Sequence, residues 1–165
     1  MVSRCLKYDS EFGVLLIHTG SEVGPAQTVS VGTLAKIMDW YQGSDGILGI
    51  TAVGNCRFKT HNMSQRTDGL YLAEVEELGA EPNCTLPEEF RPMASLLEVV
   101  IDDLGKLYES LVKNYRDATW VGNRFAEILP ISPEQKQRCL EMNDPVERLV
   151  FLRPLLRSIR EERAQ

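Results

Sequence analysis

The organisation of this chain is clearest in residues 117–152, which read DATWVGNRFAEILPISPEQKQRCLEMNDPVERLVFL. Two helix starts stand out there. The Ser-Pro-Glu-Gln sequence at 132–135 has the pattern of a capping box, in which side chain and backbone bond reciprocally. The Asp-Pro pair at 144–145 places a carboxylate where it can accept a backbone N–H that the helix start leaves unpaired. The stretch therefore predicts a short helix followed by two capped helices.

The apolar residues after Pro87 recur at steps of three and four, the period of one face of a helix. They run from Phe90 to Tyr115 and predict one long amphipathic helix, with Pro92 in its first turn, where a missing N–H costs little. Further helices are predicted at residues 119–129, 133–142, 145–152 and 155–163. Pro154 is expected to kink or break the helical segment between the last two.

Residues 11–78 show instead the alternation and the short apolar runs that are typical of β-strands. Strands are predicted at residues 12–18, 29–40, 47–53, 56–60 and 70–76. The Asp-Gly turns within 43–46 and 67–69 predict tight connections, and residues 20–25 predict a loop. Gly54 lies between two strand segments, which indicates a bulge or a sharp corner. Short strands joined in this way predict a small barrel or pseudobarrel.

The change of period across residues 79–86 predicts two subdomains, residues 1–84 and residues 85–165. The first carries 6 basic and 10 acidic residues and the second 12 and 14, within a net charge of −6. Because neither half is basic, non-specific binding to nucleic acid is disfavoured, since it depends on neutralising phosphates. The hydrophobic share of 43% is sufficient for a packed core.

The sequence favours a cytoplasmic chain without metal, cofactor or membrane contact. No apolar run is long enough to span a bilayer, and residues 2–7 lack the apolar region of a signal peptide. The four cysteines, at positions 5, 56, 84 and 139, form no CxxC pair of the kind that holds structural zinc. Scattered, reduced cysteines in a cytosolic protein are therefore expected.

No catalytic pattern is present in the sequence. There is no Gly-Lys-Ser/Thr phosphate loop and no Gly-x-Ser-x-Gly elbow. The neighbouring carboxylates Asp102 and Asp103 point about 100° apart on a helix and so share no site. A non-enzymatic protein is expected.

Several segments, in this order and spacing, resemble the amino-terminal, substrate-binding domain of Lon proteases. In the first half they are FGVLLI (12–17), GSEVG (20–24), VGTLAKI (31–37), DGILGIT (45–51) and RF (57–58). In the second half they are LPEEF (86–90), WVGNRFAE (120–127), LP (129–130) and DP (144–145). The resemblance covers nearly the whole chain and implies an α+β fold, a PUA-like β pseudobarrel followed by an α-helical bundle. It further implies a stand-alone, non-catalytic relative, since neither the ATPase nor the Ser-Lys protease domain of Lon fits here.

One departure from that family concerns the amino terminus. Family members usually open with a strand pair that leads into a helix, whereas residues 1–8 of this chain match the end of that helix. We expect that Met1 is an internal methionine taken as a start, or that the gene is truncated. A barrel without its first strands would expose strand edges and apolar surface.

Five residues are candidates for peptide binding or for an interface between the subdomains: Trp40, Phe90, Trp120, Asn123 and Arg124. The aromatic rings offer stacking surfaces, and the two polar residues would form a rim beside Trp120. The alternative for Trp120 is packing between helices. For Asn123 and Arg124 it is a cap or an ion pair that ties the helical half to the barrel.

The function that follows from the resemblance is recognition of unfolded or exposed segments of client proteins, with a protease or chaperone as a further partner. Capture would occur by burial of apolar side chains or by strand addition. RNA binding by a PUA-like barrel is the alternative. The arginines at positions 153, 157, 160 and 163 fall at helical steps, but interleaved glutamates favour a solvated face. A truncated product without independent function is a third possibility.

Overall fold

The computed structural model describes residues 1–21, 24, 26–109 and 111–163, except for the side chains of residues 106–107 and 160–163. The predicted loop at 20–25 therefore lies partly outside the described residues. The helices are α1 (Val2–Tyr8), α2 (Arg91–Leu104), α3 (Ala118–Ile128), α4 (Pro133–Glu141) and α5 (Pro145–Arg163). The strands are β1 (Phe12–Val14), β2 (Ile17–Gly20), β3 (Ala26–Thr28), β4 (Val31–Gln42), β5 (Leu48–Gln65) and β6 (Tyr71–Glu77).

The chain divides into two compact units. We call Met1–Ala80 the β-rich unit and Glu81–Gln165 the helical unit. The division lies slightly before the predicted limit at residue 84. Thr119 Oγ1 donates to the carbonyl of Pro82 at 2.8 Å, and the Cys84 N–H donates to the Asp117 carboxylate at 3.0 Å. These bonds attach the segment after Ala80 to the start of α3.

The β-rich unit contains an antiparallel four-stranded sheet in the order β1-β4-β5-β6 and a separate β2-β3 pair. The long β4–β5 hairpin closes at residues 43–47, as the Asp-Gly signal predicted. Gly46 adopts a φ of 80°, which a glycine tolerates without steric cost, and Asp45 Oδ1 accepts the Ile47 N–H at 3.0 Å. The Asp-Gly turn between β5 and β6 is likewise confirmed, with Gly69 at a φ of 83°.

Two strand predictions differ from the structure. The run at 12–18 is divided between β1 and β2, which belong to different sheets. The segments at 47–53 and 56–60 form one 18-residue strand, β5. The bulge expected near Gly54 is confirmed, because the register shifts between the pairs Thr33↔Arg57 and Ala35↔Gly54. A bulge adds one residue and bends the strand without ending it, which explains the continuous strand.

In the helical unit, α4 and α5 begin at the caps that the sequence predicted. Ser132 Oγ accepts the Gln135 N–H at 3.2 Å, and Gln135 Oε1 accepts the Ser132 N–H at 2.9 Å, which completes the capping box. Asp144 Oδ1 accepts the Val146 N–H at 2.7 Å at the start of α5. Asp117 caps α3 by accepting the Thr119 N–H at 3.2 Å. Each bond satisfies a donor that the first helical turn cannot pair.

Two helix predictions were wrong in extent. The helix that starts after Phe90 ends at Leu104, well before Tyr115, because Gly105 adopts a φ of 54° and leads into a 3-10 turn. The apolar spacing continues because Tyr108 and Tyr115 still pack against the core from outside the helix. Conversely, α5 continues through Pro154, so the break that the sequence allowed there is wrong. Proline has no N–H to donate to the helix carbonyl one turn earlier. Because this part of the helix is exposed, water can donate to that carbonyl instead.

The helical core is built from all the helices of this unit. Its fully enclosed members are Phe90, Leu97, Ala118, Val121, Leu149 and Leu152. Beside it lies Arg148, whose side chain is 0% exposed. Its guanidinium donates to both carboxylate oxygens of Glu81, at 2.7 and 2.9 Å, and to the carbonyls of Cys139 and Met142. Gly122 leaves room for this side chain, since a Cβ there would lie 3.1 Å from Arg148 Cδ.

Candidate functional site

The β-rich unit contains an open groove of about 490 Å³, bounded by α1, β1 and β6. Its lining is largely apolar. The lining residues are Met1, Arg4, Cys5, Ser10, Glu11, Phe12, Gly13, Leu15, Leu34, Phe58, Thr60, Met63, Gly69, Leu70, Tyr71, Leu72, Ala73 and Val75. We refer to this set as the groove.

Phe58 is the most deeply buried residue of the groove, at 1% exposed. Two glycines make room for its ring, because a Cβ on either Gly13 or Gly32 would lie 2.9 Å from Phe58 Cζ. The phenyl ring therefore packs directly on the backbone of β1 and β4. This close packing positions the ring at the base of the groove on the curved sheet.

A second cavity of about 250 Å³ adjoins the groove and shares Gly13, Leu15, Met63 and Tyr71 with it. Tyr71 lines both, and its hydroxyl accepts the Ala26 N–H at 3.1 Å. This bond holds β3 near the start of β6. The two cavities therefore share part of their lining within the β-rich unit.

The groove lies beside an open strand edge. Among the strands that the structure describes, β6 pairs with β5 alone and β1 with β4 alone, so both are edge strands. Residues 72–77 of β6 are all exposed, and Leu72 and Val75 retain 46% and 45% of their surface. An exposed edge offers backbone N–H and C=O groups to another strand. Apolar surface and unpaired backbone therefore meet along β6.

One carboxylate, that of Glu11, lines the groove, and those of Glu74 and Glu76 lie on β6. Glu11 accepts a hydrogen bond from Asn55 at 2.8 Å, and Glu74 accepts one from Asn62 at 2.8 Å. Glu76 lies 3.2 Å from His61 Nε2. Desolvation raises the pKa of the nearby Cys56 thiol, and the charges of Glu77 and Glu11 raise it further. The thiolate is therefore disfavoured there, which argues against a nucleophilic role.

The family model for the ATP-dependent protease La (LON) substrate-binding domain matches residues 1–158. The chain belongs to the Lon substrate-binding domain family. A Lon N-terminal domain protein from Xanthomonas campestris is 31% identical with a TM-score of 0.73, over 92% of this chain and 79% of that one.

A second structure, the N-terminal domain of a Mycobacterium avium complex Lon protease, is 18% identical with a TM-score of 0.52. That match covers 85% of this chain and 75% of the other, and it supports the fold alone. Comparison with curated proteins gives no match. The predicted α+β class, a β-rich part followed by helices, is confirmed. The family match concerns the Lon substrate-binding domain and extends to no catalytic domain.

In this member of the Lon substrate-binding domain family, the groove can bury apolar side chains and offer backbone hydrogen bonds. Among the described residues, no three His, Cys, Asp or Glu side chains are grouped so that they could hold a metal ion. No helix in the described part of the chain is long and apolar enough to cross a membrane.

The residues proposed from sequence are divided between the two units. Trp40 lies near the end of the β4–β5 hairpin, is 54% exposed and does not line the groove. Phe90 is fully enclosed in the helical core, where Arg153 lies over its ring at 5.0 Å. Trp120 is half-buried against that core and meets the ring of Tyr115 edge-on, with centroids 5.0 Å apart.

Asn123 and Arg124 lie beside Trp120 on α3, both partly buried. Arg124 pairs with Glu127 of the same helix at 2.6 Å, one helical turn away. Of the four arginines considered for phosphate binding, Arg153 pairs with Glu89 at 2.8 Å and Arg157 is exposed. The side chains of the other two, residues 160 and 163, lie outside the described residues.

Sequence reasoning missed the groove residues, chiefly Phe58, Leu72 and Val75. The alternation in residues 70–76 correctly gave a strand. It contained no signal that this strand lies at a sheet edge, because that depends on which strands pair. The glutamates of β6 were a partial signal, since charged side chains are common on edge strands.

Proposed function

We propose that this chain binds exposed apolar segments of other proteins in the groove, in the cytoplasm, and catalyses no reaction itself. The observation that carries the proposal is the open apolar groove of about 490 Å³ beside the unpaired edge of β6. Membership of a family of substrate-binding domains supports a recognition role.

The size of the groove suits a short segment of polypeptide. Its volume lies within the range of about 300–1,000 Å³ of typical ligand sites. Burying one Leu or Val side chain contributes about 1.5–3 kcal/mol. Two or three such side chains contribute about 3–9 kcal/mol in all, and after the cost of ordering the segment the dissociation constant expected from them is on the order of millimolar. Weak, sequence-tolerant binding of this kind suits a protein that must release its clients.

The test is fluorescence anisotropy with a labelled, permanently unfolded polypeptide, and a structured RNA as the competing probe. Val75→Asp should weaken polypeptide binding at least fivefold, because a carboxylate in the groove must lose its hydration. The side chain is already 45% exposed, so the fold should persist. Val99→Asp on α2, at 58% exposed, is the matched control and should bind normally.

Binding that survives moderate salt supports apolar capture. RNA binding that falls steeply with salt, without polypeptide binding, would reject the proposal, since that dependence marks phosphate contacts. Equal loss in both Asp variants would show that the groove is not the site.

We further propose that a protease or chaperone receives the bound clients. The family description names an ATP-dependent protease, and a separate binding module can raise the local concentration of client. The measurement is the degradation rate of an unfolded client by the ATP-dependent protease of the same cell, with and without this chain. An unchanged rate, with client binding intact, would remove the protease from the proposal.

We also propose that the chain acts as a binding part and a scaffold, and that their boundary, predicted between residues 84 and 85, lies instead before residue 81. The bonds of Glu81, Pro82 and Cys84 to helical residues support a linker that ends before residue 81. Limited proteolysis should cut between residues 77 and 81 and release a helical fragment. Cleavage within the helices first would contradict this division.

A further inference from the structure

The segment between α2 and α3 touches the helical core at few points. We call residues 111–115 of this segment the strap. Val112 is 85% exposed, and Lys113 and Asn114 are exposed as well. Within the described part of the chain, Tyr115 is the one strap residue among the side chains that pack against the helical core. The strap therefore buries little apolar surface.

Backbone hydrogen bonds hold the two ends of the strap. At its start, the Leu111 N–H donates to the carbonyl of Tyr108 at 3.2 Å. Just after its end, the carbonyl of Arg116 accepts the Leu86 N–H at 2.8 Å. The strap can therefore move between two fixed ends while α2 and α3 keep their own hydrogen bonds.

An exposed ion pair ties the middle of the strap to α2. Lys113 Nζ donates to Asp102 Oδ1 at 3.0 Å, and the two side chains are 37% and 63% exposed. Exposed pairs of this kind contribute little to stability, because water and salt screen the two charges. The ion pair therefore holds the strap closed only weakly.

The closed strap also leaves an enclosed hydrogen-bonding group unpaired. The ring of Tyr115 meets the ring of Trp120 edge-on, with centroids 5.0 Å apart. The hydroxyl of Tyr115 is enclosed and has no hydrogen-bond partner among the described residues. Such a hydroxyl has lost the bonds that water would make to it, so it opposes the closed arrangement. In an open strap the same hydroxyl would be hydrated.

Movement of the strap would uncover one side of α3. Trp120 is half-buried, and the Tyr115 ring covers part of it. Asn123 and Arg124 follow Trp120 at three and four positions, so the three side chains share one side of the helix. Opening would therefore expose an aromatic ring beside two polar side chains.

We propose that the strap opens as a unit while α2 and α3 stay folded, and that it controls access to the ring of Trp120. One weak ion pair and one tyrosine ring hold it closed, and the unpaired hydroxyl lowers the free energy of opening. Segments with few buried contacts are those that open locally, well below the free energy of global unfolding. This device lies in the helical unit and does not depend on the function proposed for the groove.

The experiment measures trypsin cleavage of the full chain after Lys113 under native conditions. Because a protease needs an extended segment, the cleavage rate reports the population of the open strap. Tyr115→Phe should slow cleavage about threefold, since loss of the unpaired hydroxyl stabilises the closed strap. Tyr108→Phe is the matched control. That hydroxyl donates to Glu127 at 3.0 Å, so its loss should not slow cleavage. An unchanged or faster rate in Tyr115→Phe would overturn the proposal.

A second pair of variants tests the ion pair. Asp102→Asn should speed cleavage about two- to fivefold, because it removes the partner of Lys113. Asp103→Asn changes the next residue of α2, which is also exposed, and should leave the rate unchanged. Equal rates in these two variants would show that the ion pair does not hold the strap.

Two further measurements separate strap opening from unfolding of the whole unit. Local opening exposes little surface, so the cleavage rate should depend only weakly on urea. A dependence as steep as that of unfolding followed at Trp120 would overturn the proposal. In a Trp40→Phe background, acrylamide should quench Trp120 fluorescence more strongly after cleavage than before it. Equal quenching would show that the strap does not control access to Trp120.

Discussion

Two Arg–Glu pairs in the helical unit have almost the same length and very different surroundings. The Arg148–Glu81 pair measures 2.7 Å, with side chains 0% and 9% exposed. The Arg153–Glu89 pair measures 2.8 Å, with side chains 35% and 62% exposed. We predict that Glu81→Gln destabilises the unit by about 3 kcal/mol, because removing one partner of a buried pair leaves a buried charge uncompensated. Glu89→Gln should cost less than about 1 kcal/mol.

The magnitude follows from what Gln can replace at position 81. A glutamine keeps one carbonyl oxygen that can accept from the guanidinium. Its NH2 group would face the N–H groups of Arg148 and cannot accept from them. Arg148 would keep its bonds to the carbonyls of Cys139 and Met142. The loss is therefore placed at the lower end of the range of about 3–5 kcal/mol for broken buried pairs.

The assay is urea unfolding followed by the fluorescence of Trp120, in a Trp40→Phe background. Each unit holds one of the two tryptophans, so this background reports the helical unit alone. With a slope of about 1–3 kcal/mol per molar urea, the Glu81 variant should lower the midpoint by about 1–3 M. Unfolding free energies of the two variants that agree within about 0.5 kcal/mol would refute the argument from burial.

Further predictions concern packing and pH. Gly32→Ala should destabilise the β-rich unit by about 1–3 kcal/mol, because a Cβ there meets the Phe58 ring and the β1 backbone. Gly79→Ala, which meets nothing within 4 Å, is its control, and unfolding followed at Trp40 in a Trp120→Phe background reports both. Tyr115→Phe should change the pH 7 unfolding midpoint little, since the hydroxyl has no hydrogen-bond partner among the described residues. Burial raises the pKa of Tyr115 above its ordinary value of 10.0, so the wild type loses stability as the pH rises from about 10 through the folded-state pKa. Unfolding measured between pH 8 and 11 should show that Tyr115→Phe loses less stability with rising pH than the wild type does. A steeper loss of stability in the variant would contradict the raised pKa of Tyr115.

Helix starts and hairpin turns were predictable because their signals are local. The Ser132 box, the Asp144 cap and the turn at Gly46 each depend on residues within a few positions of one another. The end of α2 was less predictable. Gly105 interrupts an apolar pattern that continues beyond it, and only the structure shows that Tyr115 reaches the core from outside the helix.

The candidate site was less predictable than the fold. Aromatic residues in helical patterns drew attention to Phe90 and Trp120, which belong to the helical core. The groove instead combines short segments from α1, β1 and β6, whose neighbours are set by strand order. The strand order in the sheet cannot be predicted from the periodicity of a single segment.

The sequence by itself determined the α+β class, the order of strands before helices, the caps and the turns. It did so because hydrogen bonds at helix starts and glycine turns are satisfied between near neighbours. Tertiary structure alone decided which strands are edges, where the groove lies, and that Arg148 is neutralised by Glu81, 67 positions away. These features depend on strand pairing and burial between residues that are far apart in the sequence. The free energy of such contacts cannot be read from a local sequence pattern.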